Sequence, residues 1–309
     1  MISSPATAFR RSAFTLAAVA VAVAAPARGD SIRAVSGFTS VASGNATTGN
    51  RAFIETGFVG TSSTLTAADI DTFKSGTLVN SSGTYNWNDV VPSDFGDGNL
   101  YPQNPDRGDT ATPFPSENLG GAKLSEVFEP KNLAYLLDGE SDVSWTLDLR
   151  YAPGMGVFAD GDSSTMELFL LERGANSILG VQAIRTDGSL TDAVLLNFRT
   201  GTGSDYGVAR NGGLTDYELD TLEIDGAQAV SGIGLDLGAF GLTAGQAVIG
   251  YRFFAQADTP SLHFDGPDFL GFVGTVHAQA VPEPASLALA GIGAAGVAIA
   301  ALRRRRNDV

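Results

Sequence analysis

The side chains of this chain that could do chemistry are few and mostly acidic. There are two histidines, His263 and His277, no cysteine, and 34 Asp and Glu against 19 Lys and Arg. The missing thiols exclude disulfides, thiolate nucleophiles and Cys-ligated zinc. A His-dependent hydrolase or His-metal site would need one of the two histidines. Neither belongs to a His-Glu-X-X-His pair, and no Gly-X-Ser-X-Gly elbow occurs. His263 precedes Phe264-Asp265-Gly266-Pro267-Asp268 and reads as a turn residue, while His277 stands seven residues before Pro284. Glu172 beside Arg173, after a run of Leu and Phe, suggests an ion pair pinning the Gly174 turn, with carboxylate acid–base chemistry as the alternative. The expectation is that the chain is not an enzyme.

Oxygen ligands for a hard cation are the more promising chemistry. Asp94, Asp97, Asp106 and Asp109 lie in one Gly-rich stretch, Asp160 and Asp162 flank Gly161, and Asp265 and Asp268 flank Gly266-Pro267. Carboxylates on turns suit Ca2+, although none of these sets has EF-hand spacing and an exposed acidic turn is ordinarily just solvated. No other cofactor is implied. Tyr85, Trp87 and Tyr101 could stack on sugar rings or could be rim packing around a core.

These residues need elements to position them, and the pattern between residues 30 and 280 is that of strands. Val143, Trp145, Leu147 and Leu149 alternate with Ser144, Thr146, Asp148 and Arg150. Met166, Leu168 and Leu170 alternate with Glu167 and Phe169. Period two is the mark of a half-buried strand. Further runs cover residues 179–184, 193–198, 217–224, 233–237, 247–254 and 269–273. Asp160-Gly161, Asp187-Gly188, Asn211-Gly212-Gly213 and Asp225-Gly226 read as the turns between them. Residues 30–90 alternate more weakly and would add edge strands. Residues 94–121 hold five glycines and four prolines without periodicity, a loop longer than the roughly 12–15 residues usual for structureless connections. With 43% hydrophobic residues and Gly 38, the expected fold is all-β, an antiparallel β-sandwich or jelly roll.

The two ends read differently. In residues 1–29, Arg10 and Arg11 precede an apolar run from Ala13 to Ala25, and Ala25-Pro26-Ala27 or Ala27-Arg28-Gly29 offers small residues for cleavage. This is the three-part plan of a secretory signal helix, implying the Sec translocon and signal peptidase as partners. Residues 285–302 carry no charge and as a helix would extend about 27 Å, enough to cross a bilayer once. Arg303, Arg304, Arg305 and Arg306 would then stop on the cytoplasmic side and place the body outside. Before the span, Val281-Pro282-Glu283-Pro284 fixes an extended segment at the outer interface, where an enzyme can grip it. Between the ends, residues 30–302 carry 12 basic and 33 acidic residues, a net charge of −21. Such a surface repels phosphate backbones, so nucleic acid is excluded as a partner.

The last 29 residues resemble the PEP-CTERM sorting signal of Gram-negative, often biofilm-forming bacteria. The resemblance rests on Pro282-Glu283-Pro284, the Gly/Ala-rich span and the terminal arginines. It implies recognition by exosortase, a membrane protease-transpeptidase, and a transient inner-membrane anchor removed near the PEP residues. The body is similar to exosortase-dependent surface proteins in FLLERGANSILGVQAI, LEIDGAQAVSGIGLDLGAFG and HFDGPDFLGFVG. The domain expectation is a signal peptide at 1–29, an extracellular β domain at 30–280 and the sorting signal at 281–309. The functional expectation is an exported, non-enzymatic surface or extracellular-matrix protein, with extracellular polysaccharide as a further partner. A secreted carbohydrate- or calcium-binding module is the alternative.

Overall fold

The computed structural model of the chain describes residues 31–41, 53–60, 70–80, 83–91, 122–129, 137, 139, 144–219, 228–257, 259–274 and 278–280. The expected signal helix, the span at 285–302 and the long loop at 94–121 lie outside these residues. Among the described residues, no helix is long and apolar enough to cross a membrane.

The described chain is mostly strand. In order come β1 (Ile32–Val41), β2 (Phe53–Gly60), β3 (Ile70–Asp71), β4 (Ser75–Val79), β5 (Thr84–Asn86), β6 (Val90–Val91), β7 (Ala122–Lys123) and the short helix α1 (Leu124–Phe128). They are followed by β8 (Trp145–Arg150), β9 (Met155–Phe158), β10 (Leu168–Arg173), β11 (Ile178–Arg185), β12 (Val194–Thr200) and β13 (Ser204–Asp205). The last are β14 (Val208–Leu219), β15 (Gln228–Leu235), β16 (Ala247–Ala255), β17 (Phe269–Gly274) and β18 (Ala278–Ala280). Hydrogen bonds join them in the order β3-β17-β10-β15-β14-β12-β11-β16-β8-β4-β5. Strand β1 pairs with β15 and β2, β9 with β16 and β18, and β13 with β14; β6 and β7 form a separate pair. The sheet is large, mixed and mostly antiparallel. The departure from the antiparallel expectation is β12 with β14, which run parallel through Asn197 opposite Arg210 and Thr200 opposite Gly212.

The sheet is curled so that strands far apart in this order touch. Trp145 of β8 stacks on Phe269 of β17, ring centroids 6.0 Å apart and planes 7° from parallel. Phe253 of β16 meets the same Phe269 at 5.0 Å, and Phe73 packs edge-on against Phe253. Strand β8 alternates buried and half-buried residues as its sequence requires, with Trp145, Leu147 and Leu149 inward. Strand β10 does not: all six residues of LFLLER are buried. It is flanked by β15 and β17 and covered on both faces, so the half-buried expectation for this run is corrected.

Asn211-Gly212-Gly213 is likewise not a turn; it lies inside β14. Here the strand leaves β12 and reaches β15, where Gly213 lies opposite Gly232. A Cβ on Gly212 would overlap the Phe198 carbonyl oxygen and Ser231 Oγ, and one on Gly213 would come within 2.6 Å of the Val35 carbonyl oxygen. The glycines serve close backbone approach at the crossover rather than chain reversal.

Trp145 is 2% exposed. Trp145→Ala should lower unfolding free energy by about 3–5 kcal/mol, measured by urea denaturation. A neutral result would contradict its inward phase on β8.

Candidate functional site

Among the described residues, three metal-type ligands converge in one place: carboxylate oxygens of Asp160, Glu167 and Asp236 lie within 4.8 Å of one another. Asp160 follows β9, Glu167 immediately precedes β10 and Asp236 immediately follows β15. The backbone of Glu167 donates to the Leu235 carbonyl at 2.9 Å, so β10 and β15 bring two of the acids together through their own pairing. Asp160 is positioned by its turn. Gly161 takes φ 82°, Asp160 Oδ1 accepts from the Asp162 amide at 2.7 Å, and Oδ2 accepts from the Thr165 hydroxyl at 2.6 Å. Asp236 caps the 3-10 turn Leu237–Phe240, accepting from the Gly238 amide at 2.8 Å.

The electrostatics of this group are unfavourable to three bare charges. Glu167 is 2% and Asp236 3% exposed. Glu167 Oε2 accepts from the Leu237 amide at 2.9 Å, but Oε1 is buried with no hydrogen-bond partner. Burial, and then the Asp236 carboxylate, push the Glu167 carboxyl up to about 8. Burial also raises Asp236, opposed by hydrogen bonds from Ser31 and Gly238 and reinforced by Asp160 and Asp162. Such a group is satisfied by a proton or by a cation.

The other sequence candidates go elsewhere. Arg173 does not close on its neighbour Glu172, because successive strand residues point to opposite faces. It reaches Asp268, with Nη2 at 2.6 Å and Nε at 3.2 Å from Oδ2, while Asp268 Oδ1 accepts from the Gly139 amide at 3.1 Å. The pair is buried. Asp265 takes Arg199, at 2.7 Å. The Asp265 and Asp268 carboxylates are therefore held by guanidinium groups rather than turned toward one shared cation. Asp162 accepts from the Ser164 amide at 2.9 Å, and Asp94, Asp97, Asp106 and Asp109 lie outside the described residues. So do Pro282, Glu283 and Pro284, Arg303 to Arg306, Tyr101 and His277. Tyr85 and Trp87 pack, partly buried, against the core. His263 stacks on Tyr206, which lies at the tip of the β13–β14 hairpin, with ring centroids 4.6 Å apart.

Sequence reasoning found Asp160 but missed Glu167 and Asp236. Both sit in apolar runs, MELFLL and GIGLDLG, where an acid looks like an outward-facing strand position. The available signal was an acid at each end of what prove to be adjacent strands. Three segments of the body also converge: Ile178 donates to the Phe264 carbonyl at 2.8 Å, Gly174 to Ala229 at 2.9 Å and Arg173 to Asp268 at 3.0 Å.

Comparison with known proteins finds the PEP-CTERM protein-sorting motif at residues 280–306. The match covers the tail and leaves the body outside it. No curated protein and no solved structure matches the chain. The motif implies an exported protein sorted to the cell surface through exosortase processing.

Glu172, fully enclosed, is held well above its ordinary value of 4.5, first by burial and then by the Asp268 carboxylate. A native carboxyl raised in this way stabilises the fold fully below about pH 4.5, and that contribution is lost as pH rises through the native value. Glu172→Gln should therefore flatten the decline of stability above about pH 4.5. Urea midpoints of the two proteins across the pH range check this; parallel curves would count against an enclosed, protonated Glu172.

Proposed function

We propose that this chain is an exported, non-enzymatic surface or extracellular-matrix protein, delivered by its N-terminal signal and released from a temporary membrane anchor by exosortase. The observation that carries the reading is the sorting motif at 280–306. In this reading residues 1–29 are removed at export, residues 30–280 form the mature domain and residues 281–309 are the discarded signal. The curled sheet is read as a two-layer sandwich of jelly-roll type. Its two-layer character is supported by the contacts that Trp145 and Phe253 make with Phe269.

The last described strand supports the division of labour. Ala278, Gln279 and Ala280 pair with Val157, Gly156 and Met155 of β9. The body thus engages the chain up to the residue before Val281, and cleavage beyond it would leave every described strand in place. Pro282 and Pro284 disfavour helix at the outer end of the span, which in this reading is what marks the segment for the protease. The span itself is rich in Ala and Gly and only just long enough, which suits an anchor that is to be given up. Arg303 to Arg306 keep its inner end in the cytoplasm at a cost of roughly 2.5–3.5 kcal/mol for each arginine taken to the bilayer centre. On this reading the acidic body faces extracellular polymer, where a biofilm matrix is its setting.

Mass spectrometry of surface-extracted protein should find no peptide beyond about Pro284; recovery of residues 285–302 in the mature species would refute removal. In the double variant Pro282→Ala, Pro284→Ala, the precursor should accumulate in the inner membrane. Processing at the native rate would show that the stiff segment is not what the enzyme recognises.

A further inference from the structure

We propose that Asp160, Glu167 and Asp236 bind one Ca2+ ion that ties the turn after β9, the entry to β10 and the end of β15 into a single clamp. Two features carry this independently. The first is geometric. Ligand oxygens on Ca2+ at 2.3–2.6 Å cannot be farther apart than about 4.6–5.2 Å, and the three carboxylates fall within 4.8 Å of one another. Mg2+ demands a tighter octahedral shell at about 2.0–2.1 Å and keeps several of its waters, so a cage of protein carboxylates is better suited to Ca2+. The second is the oxygen of Glu167 that lies buried without a hydrogen-bond partner in a residue 2% exposed. A buried carboxylate oxygen left unmatched costs about 1–3 kcal/mol or more, and a hard cation is the partner that removes the cost.

The surrounding groups are consistent with an ion at this place. Asp160 is held by the Asp162 amide and the Thr165 hydroxyl and Asp236 by the Gly238 amide, contacts that orient the carboxylates, each oxygen of which has two lone pairs. Asp162 and the Ser31 side chain stand nearby, adding oxygen to the group's edge. The Arg33 guanidinium acts on Asp162 and offsets part of the acidic charge. Three carboxylates supply fewer than the 6–8 oxygens Ca2+ takes, so water completes the shell and affinity falls in the range of extracellular modules, about 10⁻⁴–10⁻³ M. That range is matched to an exported domain, and the clamp gives a cysteine-free chain a cross-link between segments 69 residues apart, Glu167 to Asp236.

The test uses the full chain, purified in detergent and stripped with EDTA, titrated calorimetrically with CaCl2 and separately with MgCl2, with thermal unfolding followed in parallel. One Ca2+ should bind per chain, and at about a hundredfold excess over Kd the Tm should rise by about 5–10 °C. Mg2+ should produce a smaller shift. Glu167→Gln and Asp236→Asn should each weaken Ca2+ binding at least tenfold, while Asp187→Asn, in an exposed turn of its own, should leave it unchanged. Asp160→Asn changes the least buried of the three and gives the reading if the buried variants do not fold. Absence of saturable Ca2+ binding overturns the proposal and leaves a proton on Glu167 as the partner of the trio. Binding that survives in Asp160→Asn with undiminished affinity overturns it equally, by placing the ion elsewhere.

Discussion

A guanidinium buried against a carboxylate sets the arrangement on which the rest of the sheet depends. Arg173, the last residue of β10, holds Asp268 by side chain and backbone together, and Asp268 in turn receives the Gly139 amide. The next residue along, Phe269, then falls opposite Glu172 and bridges to Leu137. One step of slippage would turn Phe269 away from Trp145 and Phe253 and part Arg173 from Asp268. Removing one partner of a pair this enclosed costs about 3–5 kcal/mol, far more than the pair adds over an apolar substitute. Its value is therefore in fixing register.

The same logic governs the other buried acids. Glu167, Glu172 and Asp236 are enclosed in a body whose overall charge is strongly negative. Each is handled differently. Glu172 is pushed toward its neutral form by burial and by Asp268, Asp236 is engaged as a cap, and Glu167 lies with its carboxylate close to those of Asp160 and Asp236. Charge that the fold does not neutralise from within is charge that solvent components can neutralise. The proposed Ca2+ clamp would let the composition of the outside medium act on the structure at the acid trio.

Body and tail obey opposite requirements. The body needs long-range pairing, with aromatic side chains from distant strands closing over one another, and gains permanence from it. In the proposed reading the tail needs only a short-lived hold on the membrane and a site that a protease can cut. The junction is abrupt: β18 ends at Ala280, and the PEP sequence begins two residues on. A protease acting there meets a segment that no described strand requires.

Local chemistry written in the sequence was enough for much of this. Alternation in WTLDLR fixed the phase of β8, Asp-Gly pairs marked the turns at Gly161 and Gly188, and the PEP residues, apolar run and arginines identified the sorting tail. Each depends on neighbours within a few residues, so the sequence by itself determined them. It could not determine that Asn211-Gly212-Gly213 lies within a strand, that Arg173 passes over Glu172 for Asp268, or that Asp160 meets Glu167 and Asp236. Those outcomes follow from which strands lie side by side. Pairing is decided by the burial of whole faces and by close backbone approach between segments dozens of residues apart, and no local pattern encodes the partner. The tertiary structure alone chose it.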